Sequence, residues 1–120
     1  MTQALEELFT IEELDQALSE SADQPLLLFK HSNSCSISSR AFSEFESYLE
    51  QADPQVSYKL ITVQTARNVS NEAASRLRIE HETPQVILIS GGRVIWNASH
   101  SAVTSSSIDE AIRGIRDLVA

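Results

Sequence analysis

The chain has 120 residues, a formal net charge of −8 at pH 7 and 42% hydrophobic residues. This size and apolar content predict one folded domain over residues 1–120. The acidic balance argues against binding to nucleic acid or to an anionic membrane, because both partners require a basic surface. No apolar run approaches the roughly 20 residues of a membrane span, and the acidic start of the chain lacks the regions of a signal peptide. We therefore expect a cytoplasmic protein.

The first elements of the chain are a helix and a buried strand. Thr10 and Glu13 have the spacing of a capping box, so we expect a helix from Thr10 to about Asp23, where Pro25 blocks its continuation. Residues 26–31 are an apolar run without polar alternation. That pattern is typical of a strand buried on both faces, as in a sheet covered by helices.

A polar loop after this strand carries the only cysteine, Cys35, and leads into an amphipathic helix that we expect to reach about Glu50. Residues 58–63 read as a second strand. Because strand, helix and strand at this spacing form a βαβ unit, the two strands should be parallel.

The second half of the chain consists of short elements bounded by turn residues. In order, they are a helix capped by Ser70 that reaches about Leu77, a third buried strand at 85–89, a hairpin turn at Gly91-Gly92, a fourth strand at 94–96, and a final helix opened by a second capping box, Ser107 and Glu110, with Val119 facing inward.

This order predicts an α/β fold with a four-stranded mixed sheet and helices on both faces, which resembles the thioredoxin architecture. That fold has its nucleophile where this chain has Cys35, at the start of the helix after the first main strand. With Ser34 or Asn33 as N-cap, the free N–H groups and the dipole of the helix would stabilise a thiolate, the reactive form of cysteine. The alternative is that Cys35 is a small buried hydrophobic residue without chemistry. A single cysteine cannot form an internal disulfide, which fits a reducing compartment.

Three sequence blocks resemble the monothiol bacilliredoxin family (YtxJ-like proteins) over about residues 10–118. The blocks are 29–32 leading to Cys35-Ser36-Ile37-Ser38, residues 81–88, and residues 96–100. The family pattern has proline after the cysteine, where this chain has Ser36, which keeps a free N–H and adds a hydroxyl.

The resemblance implies that Cys35 is the catalytic nucleophile, that thiolated client proteins are the partners, and that bacillithiol or a close analogue is the co-substrate, with no bound cofactor. It also implies a cis Thr83–Pro84 bond beside the Cys35 loop, with the Thr83 backbone offering hydrogen bonds to the substrate.

Other side chains are candidates for substrate binding. His31 is the histidine that we expect nearest to Cys35; His81 and His100 are weaker candidates. Lys30 and Arg67 are expected to form a positive patch for the carboxylates of a small thiol, since the Arg67 loop should leave the sheet at the Cys35 edge.

Arg40 is nearer to Cys35 in sequence than Arg67, but its direction is not fixed by the sequence. No residues have the spacing of a metal site.

Two functions remain open from the sequence. The first is a monothiol oxidoreductase that removes a small thiol from client proteins through Cys35. The second is a redox-inactive thioredoxin-like adaptor, in which Cys35 is only structural and the chain binds a protein partner.

Overall fold

A computed structural model describes residues 5–119 of the chain, with side chains described for residues 5–115. The elements are β1 (Leu5–Glu7), α1 (Ile11–Glu20), β2 (Leu26–His31), α2 (Ser36–Leu49), β3 (Ser57–Thr62), α3 (Arg67–Leu77), β4 (Gln85–Ser90), β5 (Arg93–Ser99), a single 3-10 turn (His100–Ala102) and α4 (Ser105–Val119). The expected inward position of Val119 lies outside the described side chains.

The five strands form one mixed sheet in the order β1-β3-β2-β4-β5. Strands β1 and β2 both pair in parallel with β3, whereas β4 is antiparallel to β2 and to β5. The predicted βαβ unit and the Gly91-Gly92 hairpin are therefore confirmed. The predicted count of four strands misses β1, because three residues are too few to show a strand pattern.

Two apolar cores cover the two faces of the sheet. One contains alternate strand residues such as Leu27 and Phe29 together with the inner faces of α2 and α4, including the fully buried Phe45. The other contains Leu26 and Leu28 with the inner faces of α1 and α3. Because successive side chains of a strand point to opposite faces, this alternation also determines which face receives each residue at the end of β2.

The Thr10–Glu13 capping box is present, with both of its reciprocal hydrogen bonds. The start predicted for α3 was wrong. That helix begins at Arg67, with Ala66 as N-cap, and Ser70 is a fully buried residue inside it. In the sequence, a serine on the buried face of a helix cannot be told from a serine that caps the helix, because each is followed by apolar residues.

The start predicted for α4 was also wrong. The helix begins at Ser105, and the reciprocal cap is formed by Thr104 and Ser107, whose side chains accept each other's backbone N–H groups at 3.0 and 3.1 Å. A serine can replace the usual glutamate in this arrangement because its hydroxyl reaches back to the N-cap N–H. No helix within residues 5–119 is long and apolar enough to cross a membrane.

Candidate active site

Cys35 lies at the start of α2. It is itself the N-cap residue, with extended backbone angles and no side-chain capping bond, so the expected capping by Ser34 or Asn33 does not occur. The first backbone bond of the helix runs from Ser39 N–H to the Cys35 carbonyl. The backbone N–H groups of residues 36–38, in the first turn of the helix, therefore have no hydrogen-bond acceptor in the described part of the chain. The Cys35 side chain is half-exposed.

The loop before Cys35 is held by one side chain from the next strand–helix connection. The Gln64 carbonyl oxygen accepts the Asn33 N–H at 3.0 Å. Its amide nitrogen donates to the hydroxyls of Ser32 and Ser34 at 2.8 and 3.1 Å. The expectation that the loop after β3 leaves the sheet at the Cys35 edge is therefore confirmed, and Gln64 is the residue that joins the two loops.

A second anchor connects β2 to the first turn of α2. Ser38 is fully buried, and its hydroxyl accepts the Ser32 N–H at 2.9 Å and lies 2.8 Å from His31 Nδ1. The His31 ring packs at 4.9 Å from the Phe42 ring, and burial lowers its pKa, against a smaller opposite effect of the Glu7 carboxylate. The structure thus connects His31 to the first turn of α2, the helix that follows Cys35.

The Thr83–Pro84 bond is cis, as the resemblance predicted. Gln85 pairs with Lys30 in the antiparallel β2–β4 ladder, so the preceding Pro84 lies at the end of β2, where the Cys35 loop begins. The buried Pro84 carbonyl accepts the His100 N–H at 2.9 Å, and His100 Nε2 lies 3.0 Å from a Glu82 oxygen. His100 therefore contacts the cis-proline loop rather than Cys35 itself.

The placement of Lys30 corrects the sequence expectation. Lys30 is fully buried, two residues after Leu28 on the α1/α3 face of the sheet, and so does not form an exposed patch with Arg67. Its ammonium donates to His81 Nδ1 at 2.9 Å. Burial lowers the pKa of Lys30 from 10.5 to about 8. Since the whole strand is buried, the sequence run gave no indication of which face Lys30 occupies.

Arg67 is exposed and is the first residue of α3. Ser70, three residues further along α3, has its hydroxyl 3.4 Å from His81 Nδ1, so the first turn of α3 lies next to that ring. Burial is the largest cause that lowers the pKa of His81, and the charges of Lys30 and Arg67 lower it further, while Glu82 acts in the opposite direction. The structure therefore brings His81, a weak candidate in the sequence, together with both predicted basic residues.

A cleft of about 430 Å³ lies beside the start of α2, on the side away from Arg67 and α3. It runs between α2 and the turn that precedes α4, and Ile37 and Arg40 line its α2 side. The Ile37 side chain is 51% exposed although it is apolar. The direction of Arg40, which the sequence left open, is thus into this cleft.

The family model for the monothiol bacilliredoxin BrxC matches residues 6–108. The chain belongs to this family. Among solved structures, it is similar to a candidate oxidoreductase with a thioredoxin fold, at 27% identity, with a TM-score of 0.79 and coverage of 90% of this chain and 93% of the other.

Thioredoxins are also similar in fold. The protein from Trypanosoma brucei brucei has 13% identity, a TM-score of 0.76 and coverage of 98% of this chain and 95% of its own. The protein from Malassezia sympodialis has 13% identity, a TM-score of 0.74 and coverage of 95% and 93%. The thioredoxin-like α/β fold is therefore confirmed. With the family membership, it makes this bacilliredoxin a thiol oxidoreductase.

Sequence reasoning missed Gln64 and the Lys30–His81 contact. A single glutamine forms no motif, although the predicted βαβ topology already placed its loop near Cys35. Ser38 was part of a family block, but its burial and its bond to His31 depend on tertiary packing that no sequence pattern shows.

The Gln64 anchor can be tested by Gln64→Ala. The variant removes the acceptor of the Asn33 N–H, worth about 1 kcal/mol, so hydrogen exchange of that amide should accelerate about fivefold. Exchange is measured by NMR, with Gln51→Ala, an exposed glutamine at the other end of α2, as control. Unchanged exchange at Asn33 would contradict the anchoring role.

Lys30→Met should make the protein more stable at neutral pH. A pKa of about 8 instead of 10.5 corresponds to a cost of roughly 3 kcal/mol for burying the charge, of which we expect about 1–3 kcal/mol to be recovered. Between pH 8 and 10.5 the unfolded chain binds more protons at this residue than the native protein, so wild-type stability rises relative to the variant with pH.

Urea denaturation of both proteins from pH 7 to pH 10 would measure this difference. The advantage of Lys30→Met should be largest below pH 8 and should shrink above it. A constant difference across the range would show that Lys30 does not lose its proton there.

Proposed function

We propose that this bacilliredoxin removes bacillithiol, or a closely similar small thiol, from mixed disulfides on client proteins in a reducing cytoplasm. The observation that carries the proposal is the half-exposed Cys35 as N-cap of α2, in a family named for a single working thiol. The start of α2 adds three backbone N–H groups without acceptors in the described part of the chain, and such groups can donate hydrogen bonds to an approaching anion or to water.

The first step is a thiol–disulfide exchange. The Cys35 thiolate attacks the small-thiol sulfur of the client mixed disulfide, and a new S–S bond forms between Cys35 and the small thiol. The bond to the client sulfur breaks, and the client thiolate leaves with the electron pair and takes a proton from water.

The second step regenerates the enzyme. Cys35 is the only cysteine in the sequence, so no second thiol of the chain can resolve the adduct. A second molecule of the small thiol attacks the adduct and leaves as its disulfide, and Cys35 returns to the thiolate. The two electrons that reduce the client thus come from the small-thiol pool.

The cis-proline loop is proposed to hold the substrate during both steps. Thr83 is partly exposed and precedes the buried cis Pro84 at the end of β2. The Thr83 backbone would form hydrogen bonds with the extended segment of the client protein next to the reacting disulfide. His31 contributes from the opposite side by fixing Ser38, and with it the first turn of α2.

The proposal predicts that a bacillithiolated client loses its modification with wild-type protein and not with Cys35→Ser. Without free small thiol, the intact mass of the wild-type protein should rise by one small-thiol adduct. Slow alkylation of native Cys35 by iodoacetamide at pH 7, with no adduct, would instead support the adaptor function.

Ser38→Cys should convert the protein to a two-thiol enzyme. Residue 38 lies three positions after Cys35, a rise of about 4.5 Å along the helix, so the two Cα atoms fall within the roughly 4.4–6.8 Å that a disulfide spans. The introduced thiol should expel the small thiol from Cys35 without added small thiol, which leaves a protein lighter by two hydrogen atoms.

Ser43→Cys is the matched control for this variant. It adds the same thiol on an exposed position of α2, but eight residues from Cys35, or about 12 Å along the helix. If both variants retain the adduct, the first turn of α2 does not have the geometry described here.

A further inference from the structure

Lys30 and Arg67 are two of the five cations that form no ion pair with a carboxylate among residues 5–115; the others are Arg40, Arg78 and Arg93. What sets Lys30 and Arg67 apart is the side chain on which they act. Both charges act on His81, which Lys30 contacts directly. The result is a small region with two basic side chains at the edge of the sheet where the Cys35 loop emerges, in which the Glu82 carboxylate is the opposing charge on His81.

The Lys30 contact determines which nitrogen of His81 carries the proton. At pH 7 Lys30 is mostly charged and His81 is neutral, because the pKa of Lys30 is about 8 while that of His81 is lowered. The ammonium has no lone pair, so Nδ1 of His81 must accept and Nε2 must carry the hydrogen. His81 is exposed, and its Nε2–H points away from Lys30 with no acceptor among the described side chains.

The start of α3 adds to the same region. Arg67 is its first residue, the N-cap Ala66 has no side chain that could cap the helix, and the first turn contains no acidic residue. Gln64, three residues before Arg67, bonds to the loop that leads into Cys35. The region and the thiol therefore share one loop pair.

We propose that Arg67 and His81 form a carboxylate-binding site for the small-thiol part of the substrate, and that Lys30 is a positioning residue that fixes the His81 tautomer. The site rests on the proposed function for the identity of its ligand. A carboxylate accepts hydrogen bonds from the guanidinium fork and from an imidazole N–H, and neither the Arg67 guanidinium nor His81 Nε2 has a hydrogen-bond partner among residues 5–115.

The cleft lined by Arg40 is the competing location for this carboxylate. It lies on the other side of the start of α2 and also offers an arginine. Its imidazole, His100, already has Nε2 at 3.0 Å from a Glu82 oxygen, and the Glu44 carboxylate also lines the cleft, so the Arg67 side is favoured. Arg40→Ala distinguishes the two.

The test compares two disulfides of nearly equal size on the isolated protein at low ionic strength. Glutathione disulfide carries free glycyl carboxylates, and its diethyl ester has them masked. The rate of adduct formation on Cys35 is followed by intact mass. We expect wild-type protein to prefer the free acid, and we expect Arg67→Ala and His81→Ala each to reduce this preference about three- to fivefold.

Three variants complete the experiment. Arg93→Ala removes the same charge from the β4–β5 hairpin at the opposite end of the sheet and should retain the wild-type preference. Arg67→Lys keeps the charge without the fork and should retain part of it. A preference unchanged in Arg67→Ala and His81→Ala, or lost only in Arg40→Ala, would overturn the proposal.

Lys30→Met tests the positioning role separately. The ¹⁵N shifts of the His81 ring should change from a single Nε2–H form to a mixture of tautomers, and the preference for the free acid should fall. Unchanged ring shifts would refute this role. The assay contains no client protein, so it is independent of the test of the proposed function. If wild-type protein reduces the client but shows no preference for the free acid, the carboxylate site is wrong and the proposed function stands. If the preference is present but the client is not reduced, the proposed function is wrong.

Discussion

The site depends on the parallel pairing of β2 and β3, which brings the ends of both strands to one edge of the sheet. His31 pairs with Thr62 at the end of this ladder, and the next backbone bond runs from Val63 N–H to the His31 carbonyl. From there both chains turn outward into the loops that Gln64 joins. The cysteine, its anchors and the start of α3 therefore lie together because of backbone pairing, before any side chain makes a specific contact.

Because side chains alternate along β2, the last two residues of the strand point to opposite faces of the sheet and contact different elements. His31 follows Phe29 onto the α2/α4 face and connects to the helix of Cys35. Lys30 follows Leu28 onto the other face and connects to His81 beside α3. A shift of one residue in this strand would exchange the two, placing a buried cation beneath the nucleophile and an imidazole under α3.

These two constraints explain what the sequence could predict. The apolar runs and their spacing predicted four strands, the parallel βαβ pair and the antiparallel hairpin, and the resemblance predicted the cis Thr83–Pro84 bond. The side of β2 occupied by Lys30 was not accessible, because a strand buried on both faces has no polar alternation to read. Gln64 was not accessible either, since its importance lies only in the three partners that the fold places around its amide.

The buried Lys30 raises a question of energetics that the fold alone does not answer. An ammonium without a carboxylate partner is costly inside a protein, and an apolar residue of similar size would fill the same space between Ile61 and Gln85. What the apolar residue could not supply is a positive charge behind His81 in a chain whose net charge is −8. In the proposed carboxylate site, this charge and that of Arg67 offset the nearby Glu82 carboxylate at His81. An anionic substrate repelled by the surface at large would then meet less repulsion at the edge where Cys35 lies.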